Sequence, residues 1–355
     1  MIFETCPTCA AVVHDPIACR GIRLNAIARV GGEIVDLRNR LDALKDRQVI
    51  ARDLLRLQLE AAETLLQNLQ AEIAPPPRAV VLYRDQGAFS GDAEEKAAIA
   101  QRFHQAPRKS RLEVRPGDLV IGRYSVIPLY RELEADVRAL GGTLINSATQ
   151  HEYIADIRNW YGDLQDLTPK TWFRLEDVDA PGPFVLKGGI NSRKHDWQTH
   201  MFAAGWEEAG RVHARLSSDG LIGRQEIVIR RHVPLVTYGT LIGGLPITQE
   251  YRYFVADGCI VTSQFYWADF LEDAGLEVAP DPPPAVAPFV KQVIARIGAQ
   301  GRFYTVDVGV QPDGQPILIE LNDGQMAGLC GASAHTFYGN LAHVLGVDAP
   351  TERKA

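Results

Sequence analysis

Hydrophobic and polar positions divide this chain into stretches of different period. Between residues 33 and 73, Ile34, Leu37, Leu41 and Leu44 recur at three- and four-residue steps, and Leu54, Leu57, Ala61, Leu65 and Leu69 resume the pattern. Charged side chains fill the gaps, which predicts a long amphipathic helix or a helix pair with a coiled-coil-like seam. The phase slips near Gln48, and Pro75, Pro76 and Pro77 then end any helix and form a stiff linker. Beyond it, the apolar runs AVVLY (79–83) and DLVIG (118–122) read as buried strands. Residues 128–140 read as a helix stopped at Gly141 and Gly142, and TLIN (143–146) as a third strand. Strand, helix and strand with short connections suggest a small, mostly parallel sheet. After about residue 150 the pattern changes to β-rich runs, few helices and many glycine turns. The expected organisation is therefore a Cys/His segment at 1–20, a helical segment at 21–74, a small α/β domain at 78–165 and a further domain at 166–345, an α+β chain overall.

Composition narrows the classes of function. At 355 residues the chain is long enough for two or three domains, and 46% hydrophobic with 23% charged residues suits globular folding. A net charge of −7 gives no global field toward nucleic acid or an anionic membrane. No uncharged apolar run approaches the ~18 residues of a membrane span, and the N-terminus lacks the features of a signal peptide. Five cysteines, three of them within the first nineteen residues, make a poor disulfide framework. A cytoplasmic protein is expected.

Those early cysteines have their own spacing. Cys6, Cys9, His14 and Cys19 form C-x2-C-x4-H-x4-C, three thiolates and an imidazole, a tetrahedral zinc set. The spacing resembles a zinc knuckle, although Val13 replaces the usual glycine and no clear aromatic follows Cys6. Structural Zn2+ stands here against chance clustering as the alternative. With only Arg20 and Arg23 as a basic flank, nucleic acid is not an expected partner. The segment suits assembly better, and residues 33–73 are a candidate surface for homo-oligomers.

Four segments of the C-terminal half carry the chemistry. FVLKGGINSRK delivers Lys187 on a strand and then a donor-rich turn ending at Lys194. A strand lysine is a point charge for phosphate, and glycines let backbone N–H groups approach one; taken alone, a surface lysine at a strand end before a turn is the simpler account. EIVIRRHV reads as a strand with apolar alternation. In EYRYFVADGCIV, Glu250 and Arg252 lie two apart and share a face, either as a cross-strand ion pair or lining a polar site, and Asp257-Gly258 is a hairpin turn. The most specific segment is VDVGVQPDGQPILIELND, a strand, a turn and a returning strand. It brings Asp307, Glu320 and Asn322 together as hard oxygen ligands of the kind Mg2+ takes beside phosphates.

In this order, and with DLTPKTW at 166–172, these segments resemble the ATP-grasp superfamily over roughly residues 110–345, and most closely its R-two-K branch. The resemblance implies an ATP-grasp fold at 166–345 preceded by the small α/β domain. It implies that Lys187 contacts the α/β-phosphates, that Lys194 lies on a loop over the β/γ-phosphates, and that backbone near Arg231 and His232 meets adenine, with Glu250 also in the nucleotide site. Asp307, Glu320 and Asn322 would hold Mg2+, and Arg252 would stabilise the transferring phosphoryl group. One departure is that the adenine strand reads Arg-Arg-His, where many members have Gln or Glu followed by a bulky residue. The implied reaction is a ligation: a carboxylate takes the γ-phosphoryl group of ATP, and an amine or similar nucleophile displaces phosphate from the acyl-phosphate. Arg123, at a predicted strand end, is a candidate to hold a substrate carboxylate, or a surface arginine at a turn. Two other readings remain, a phosphotransferase on the same fold and a scaffold with a regulatory ATP site. Substrates are expected to be small-molecule or peptide carboxylates and amines.

Overall fold

The computed structural model describes residues 16–43, 49–72, 78–85 and 92–347. By contacts the chain separates into two compact units, one of residues 1–78 with 344–347 and one that includes 79–343. The first holds two helices, α1 (Pro16–Asp42) and α2 (Val49–Glu72), which pack against each other and share an Arg38–Glu63 ion pair of 2.6 Å. The pattern between 33 and 73 is thus a helix pair broken near the phase slip. Helix α1 begins at Pro16, inside the segment expected to end at residue 20, and contains Cys19. Cys6, Cys9 and His14 lie outside the described residues, and the zinc expectation lies there with them.

The second unit opens with a sheet of order β1-β2-β3, made of β1 (Arg78–Tyr83), β2 (Asp118–Arg123) and β3 (Thr143–Leu144), in which β2 and β3 are parallel. Helices α3 (Asp92–Arg102) and α4 (Tyr130–Ala139) lie between these strands in sequence. Helix α4 buries Tyr130, Leu133 and Val137 at three- and four-residue steps and stops at Gly141, whose φ of +80° suits glycine. Next come α5 (Ala148–Ala155), opened by a capping box of Ser147 and Gln150, and α6 (Ile157–Leu164). The boundary expected at 165 does not separate this part from the rest. Asn146 Nδ2 donates to Phe303 O at 2.7 Å, and Gly122 N donates to Gln325 Oε1 at 2.8 Å, so two buried polar groups in and beside the small sheet find their partners beyond residue 300.

Two antiparallel four-stranded sheets follow. The smaller has the order β4-β7-β5-β6, from β4 (Thr171–Trp172), β5 (Phe184–Gly188), β6 (Phe202–Ala203) and β7 (Ile227–Arg231), with helix α7 (Trp206–Ser217) between β6 and β7. Strands β8 (Thr237–Thr240) and β9 (Pro246–Thr248) pair as a hairpin. The larger sheet has the order β11-β10-β12-β13, from β10 (Glu250–Ala256), β11 (Cys259–Phe265), β12 (Phe303–Val310) and β13 (Pro316–Asp323). Helix α8 (Val286–Ile297) precedes β12, and α9 (Ala334–Val344) ends the unit.

Alternation decides which sheet faces are core and which are site. In β12, Tyr304, Val306, Val308 and Val310 join a core with Val286, Val290, Val293 and Ile297 of α8, leaving Thr305 and Asp307 on the other face. In the smaller sheet, Phe184, Leu186, Ile227 and Ile229 pack with Ala209, Val212 and Leu216 of α7, leaving Val185, Lys187 and Arg230 on the opposite face. Among the described residues five α-helices fall after residue 147, more than the β-rich pattern suggested, because short helices such as α5 and α6 carry too few turns to show a period.

Candidate active site

The polar faces of the two four-stranded sheets supply the functional side chains. Register puts Arg252, Asp307 and Glu320 in one row across β10, β12 and β13, and Phe254, Thr305 and Asn322 in the next. A bulge after Asp307 inserts Ile319 into β13, and bulges re-aim groups at sites. Here the Ile319 carbonyl accepts from Arg230 Nη1 at 2.7 Å. Arg230 Nη2 also donates to Thr168 Oγ1 at 2.8 Å, so this buried guanidinium ties the smaller sheet to the larger one. Arg230 was not among the expected site residues, which were its neighbours Arg231 and His232; its place on the polar face of an alternating strand is the signal in the sequence that marks it.

Charges in the cleft are either paired or hydrogen-bonded to a neutral side chain. Lys187 Nζ donates to Glu320 Oε1. Arg252 forms a two-pronged bond with Asp307, Nε to Oδ1 at 2.8 Å and Nη2 to Oδ2 at 2.7 Å. Thus Arg252 reaches across to β12, and Glu250 accepts instead from Thr248 Oγ1. Lys194 Nζ donates to Tyr266 Oη at 2.8 Å, and the Tyr266 ring lies under both Lys194 and Arg252, at 4.5 and 4.7 Å. Tyr266 was absent from the sequence reading, since it lies just past β11.

Burial and neighbours set these groups against one another. Burial alone would raise the Glu320 carboxyl, but Lys187 and Lys194 outweigh it and hold the acid down at about 2. Burial lowers Lys187 and brings Arg230 down to about 10. It would lower Lys194 too, yet Tyr266, Glu320 and Glu250 overcome it and raise that group. Glu250 is pushed up by burial, with Lys194 opposing. A buried cation whose partner is a movable carboxylate is ready to accept a phosphate in its place.

Two cavities meet in this cleft. One, of about 330 Å3, is mainly apolar, with Val185, Met201, Leu235 and Trp267 among its walls, and is also lined by Lys187, Lys194 and Glu320. The other, of about 400 Å3, is more polar and carries His151, Asn191, Arg252 and Asn322. Ser192, Lys194 and Glu320 line both. An apolar cavity that also carries cations suits a purine with its phosphates.

Each residue expected at the site has a definite place. Lys187, Lys194, Glu250, Arg252, Asp307, Glu320 and Asn322 gather in the cleft. Arg231 and His232 line the apolar cavity, but their N–H groups already donate to Lys170 O at 2.8 Å and to Pro183 O at 2.9 Å. The Val233 N–H, one position along, has no protein partner among the described residues. The loop after Lys187 also differs from expectation. Gly189 N donates to Glu226 O, and Ile190 N and Asn191 N donate to Gln225 Oε1, so these N–H groups are bound to protein. Arg123 lines neither cavity. It is buried away from both chambers, pairs with Glu95 at 2.8 Å, and donates to the carbonyls of Gly324, Gln325 and Ala327. Its fork is spent on protein, which argues for a strut and against a carboxylate clamp.

Asp307, Glu320 and Asn322 fit the expected Mg2+ by their chemistry, since two carboxylates and an amide in adjacent rows of one face are all hard oxygen donors. Among the described residues no group of three His, Cys, Asp or Glu could hold a metal by itself, so such an ion would share phosphate oxygens. Cys259 and Cys330 are half-buried. No described helix is long and apolar enough to cross a membrane.

Comparison with known proteins agrees with this geometry. Residues 174–341 match the family model described as ATP-grasp domain, R-two-K clade family 3. In fold the chain is similar to an ATP-grasp RimK domain protein from Sphaerobacter thermophilus DSM 20745, with a TM-score of 0.52 and 16% identity over 76% of this chain and 99% of that one. It is also similar to D-cycloserine synthetase DcsG, with a TM-score of 0.51 and 14% identity over 75% and 99% of the two chains. No curated protein sequence matches. At such identities the structural likeness is one of fold, and it agrees with the family match, which spans residues 174–341, a little under half of the chain.

Proposed function

We propose that the protein is a Mg·ATP-dependent ligase that joins a carboxylate to an amine or similar nucleophile through an acyl-phosphate. The observation that carries this reading is the junction of the two cavities at Ser192, Lys194 and Glu320. ATP in the apolar cavity would present its γ-phosphate there, and a carboxylate in the polar chamber would face it. The carboxylate oxygen bonds to the γ-phosphorus as the bond to ADP breaks; the nucleophile then bonds to the acyl carbon and phosphate departs. Such a site needs alignment and charge neutralisation more than a protein nucleophile.

The roles follow from position. Lys187 leaves Glu320 for the inner phosphates, Lys194 meets the outer ones, and Arg252 on the polar side meets the transferring group and the acyl-phosphate. Val233 N–H and the segment after β7 meet adenine. Asp307, Glu320 and Asn322 would hold Mg2+, which when bound neutralises phosphate charge. The helix pair is proposed as a self-association surface, because Leu54, Leu57 and Leu65 of α2 are exposed. A cytoplasmic location accords with the absence of a membrane-spanning helix among the described residues.

Calorimetry with ATP, with and without Mg2+, tests the nucleotide site in the wild type and in Lys187→Ala. Mg2+-dependent binding that the substitution abolishes is the expected result, and no binding by the wild type would sink the reading. Product analysis then separates the chemistries. A ligase releases ADP and phosphate only with both substrates present, a phosphotransferase leaves a stable phosphorylated product, and a scaffold yields neither.

A further inference from the structure

The polar chamber contains a hydrogen-bonded His–Asp pair that no step above uses. His151 on α5 is only 5% exposed, lines the chamber, and places Nδ1 2.9 Å from Asp323 Oδ2. Asp323 is itself fixed, accepting from Gln325 N at 2.9 Å. The imidazole stacks on Tyr130 with ring centroids 4.0 Å apart and planes 2° from parallel. Tyr130 is anchored in turn, donating to Asn146 O at 2.9 Å and accepting from Gln325 Nε2 at 2.7 Å. Position, tilt and rotation of the ring are therefore all set.

A carboxylate at Nδ1 accepts a hydrogen bond, so the neutral ring carries its proton on Nδ1 and leaves Nε2 bare. Nε2 has no hydrogen-bond partner among the described residues, nor is it one of their sealed, unpartnered buried atoms. It is open to the chamber. A buried polar network that fixes one nitrogen and frees the other is costly to assemble as mere packing.

We propose that His151 is the base that accepts a proton from the incoming amine in the second half of the ligation, held in the required tautomer by Asp323. This rests on the ligase reading above. An alkylammonium, with an ordinary pKa of about 10, gives one proton to His151 Nε2 and so frees its lone pair. The lone pair forms the C–N bond to the acyl carbon, the C–O bond to phosphate breaks with its electrons leaving on phosphate, and the second N–H proton goes to the departing phosphate. Atoms and charge balance, and no redox partner is needed. The acceptor class is accordingly a basic amine, charged in solution, rather than water or an alcohol.

Two experiments on the full chain test this. Imidazole 15N spectra of the histidine-labelled wild type report the tautomer, with a protonated Nδ1 and bare Nε2 expected for His151; an Nε2–H tautomer overturns the proposal. The second compares acceptors in the wild type and His151→Gln, using ATP, the twenty amino acids as donors, and either hydroxylamine or alkylamines. Hydroxylamine is neutral at pH 7 and needs no proton removed before attack. Amide formation should fall by about 10^2- to 10^4-fold while hydroxamate formation persists. Equal retention of both products, or equal loss of both, removes His151 from the role of base. A wild type that forms no hydroxamate at all defeats the ligase reading and this inference with it, whereas a normal hydroxamate yield with unaltered amide formation defeats this inference alone.

Discussion

Arg123 shows how a residue of the right type can serve a different end. Its guanidinium is 4% exposed, and it meets a Glu95 carboxylate that also accepts from Tyr338 Oη at 2.6 Å. This cluster joins α3, β2 and α9, and truncating the arginine leaves Glu95 buried without a countercharge. Arg123→Met should therefore destabilise the fold by about 3–5 kcal/mol, read as a lower urea midpoint, while Mg·ATP affinity of the folded fraction stays unchanged. A large loss of substrate affinity at unaltered stability would instead restore the carboxylate-clamp reading. The same comparison explains which site residues could be read from sequence. Glu320 and Asn322 are two apart on a strand of Ile and Leu, and local alternation suffices to put them on one face. Arg123 and Glu95, or His151 and Asp323, meet across 28 and 172 positions. No local period encodes such a meeting, so their partners become visible only in the folded chain.

At the scale of elements, the segment between Lys187 and Lys194 is held at both ends. Gln225 fastens Ile190 and Asn191, and Arg193 Nε donates to Asp219 Oδ2 at 2.7 Å. The N–H groups of Ile222 and Leu221, with Arg193, hold the Asp219 carboxyl down at about 2. A depressed acid contributes stability above its ordinary pKa of about 3.9, and that contribution disappears as pH falls through the folded value. Urea midpoints should accordingly be lower for Asp219→Asn than for the wild type at pH 6, with the two curves converging between about pH 4 and pH 2. A constant offset through that range would mean that the Asp219 interactions do not depend on its charge. Elements closed by local chemistry were legible in advance: the turn at Asp257 and Gly258, both with positive φ, the Gly141 stop of α4, and the hairpin of β12 and β13 with Gly314 at +82°. The β13 bulge and the pairing order of the sheets were not. They depend on which strand meets which, and Arg230 reaching the Ile319 carbonyl is a tertiary outcome rather than a propensity.

For the whole molecule, the question is what the helix pair contributes to the nucleotide site. Residues lining the two chambers run from Ser125 to Gly328, all inside the unit that includes 79–343. That unit has its own cores, one around α8 and the larger sheet and another around α7 and the smaller one. Helices α1 and α2 belong to the other unit, and Val35, Leu54, Leu57 and Leu65 leave apolar area exposed there. Exposed apolar side chains along a helix serve an assembly better than an isolated chain. A chain shortened to residues 75–355 should thus keep Mg·ATP binding at the wild-type affinity, measured by calorimetry, and should sediment as a monomer where the full chain forms a larger species. Charging the surface in place, as Leu57→Lys, should have the same effect on sedimentation without removing any residue. A shortened chain that folds but no longer binds ATP would mean that the helices complete the site. A shortened chain that fails to fold, beside a Leu57→Lys chain that remains an oligomer, would make the helix pair part of the core and move the search for the assembly surface to the sheets.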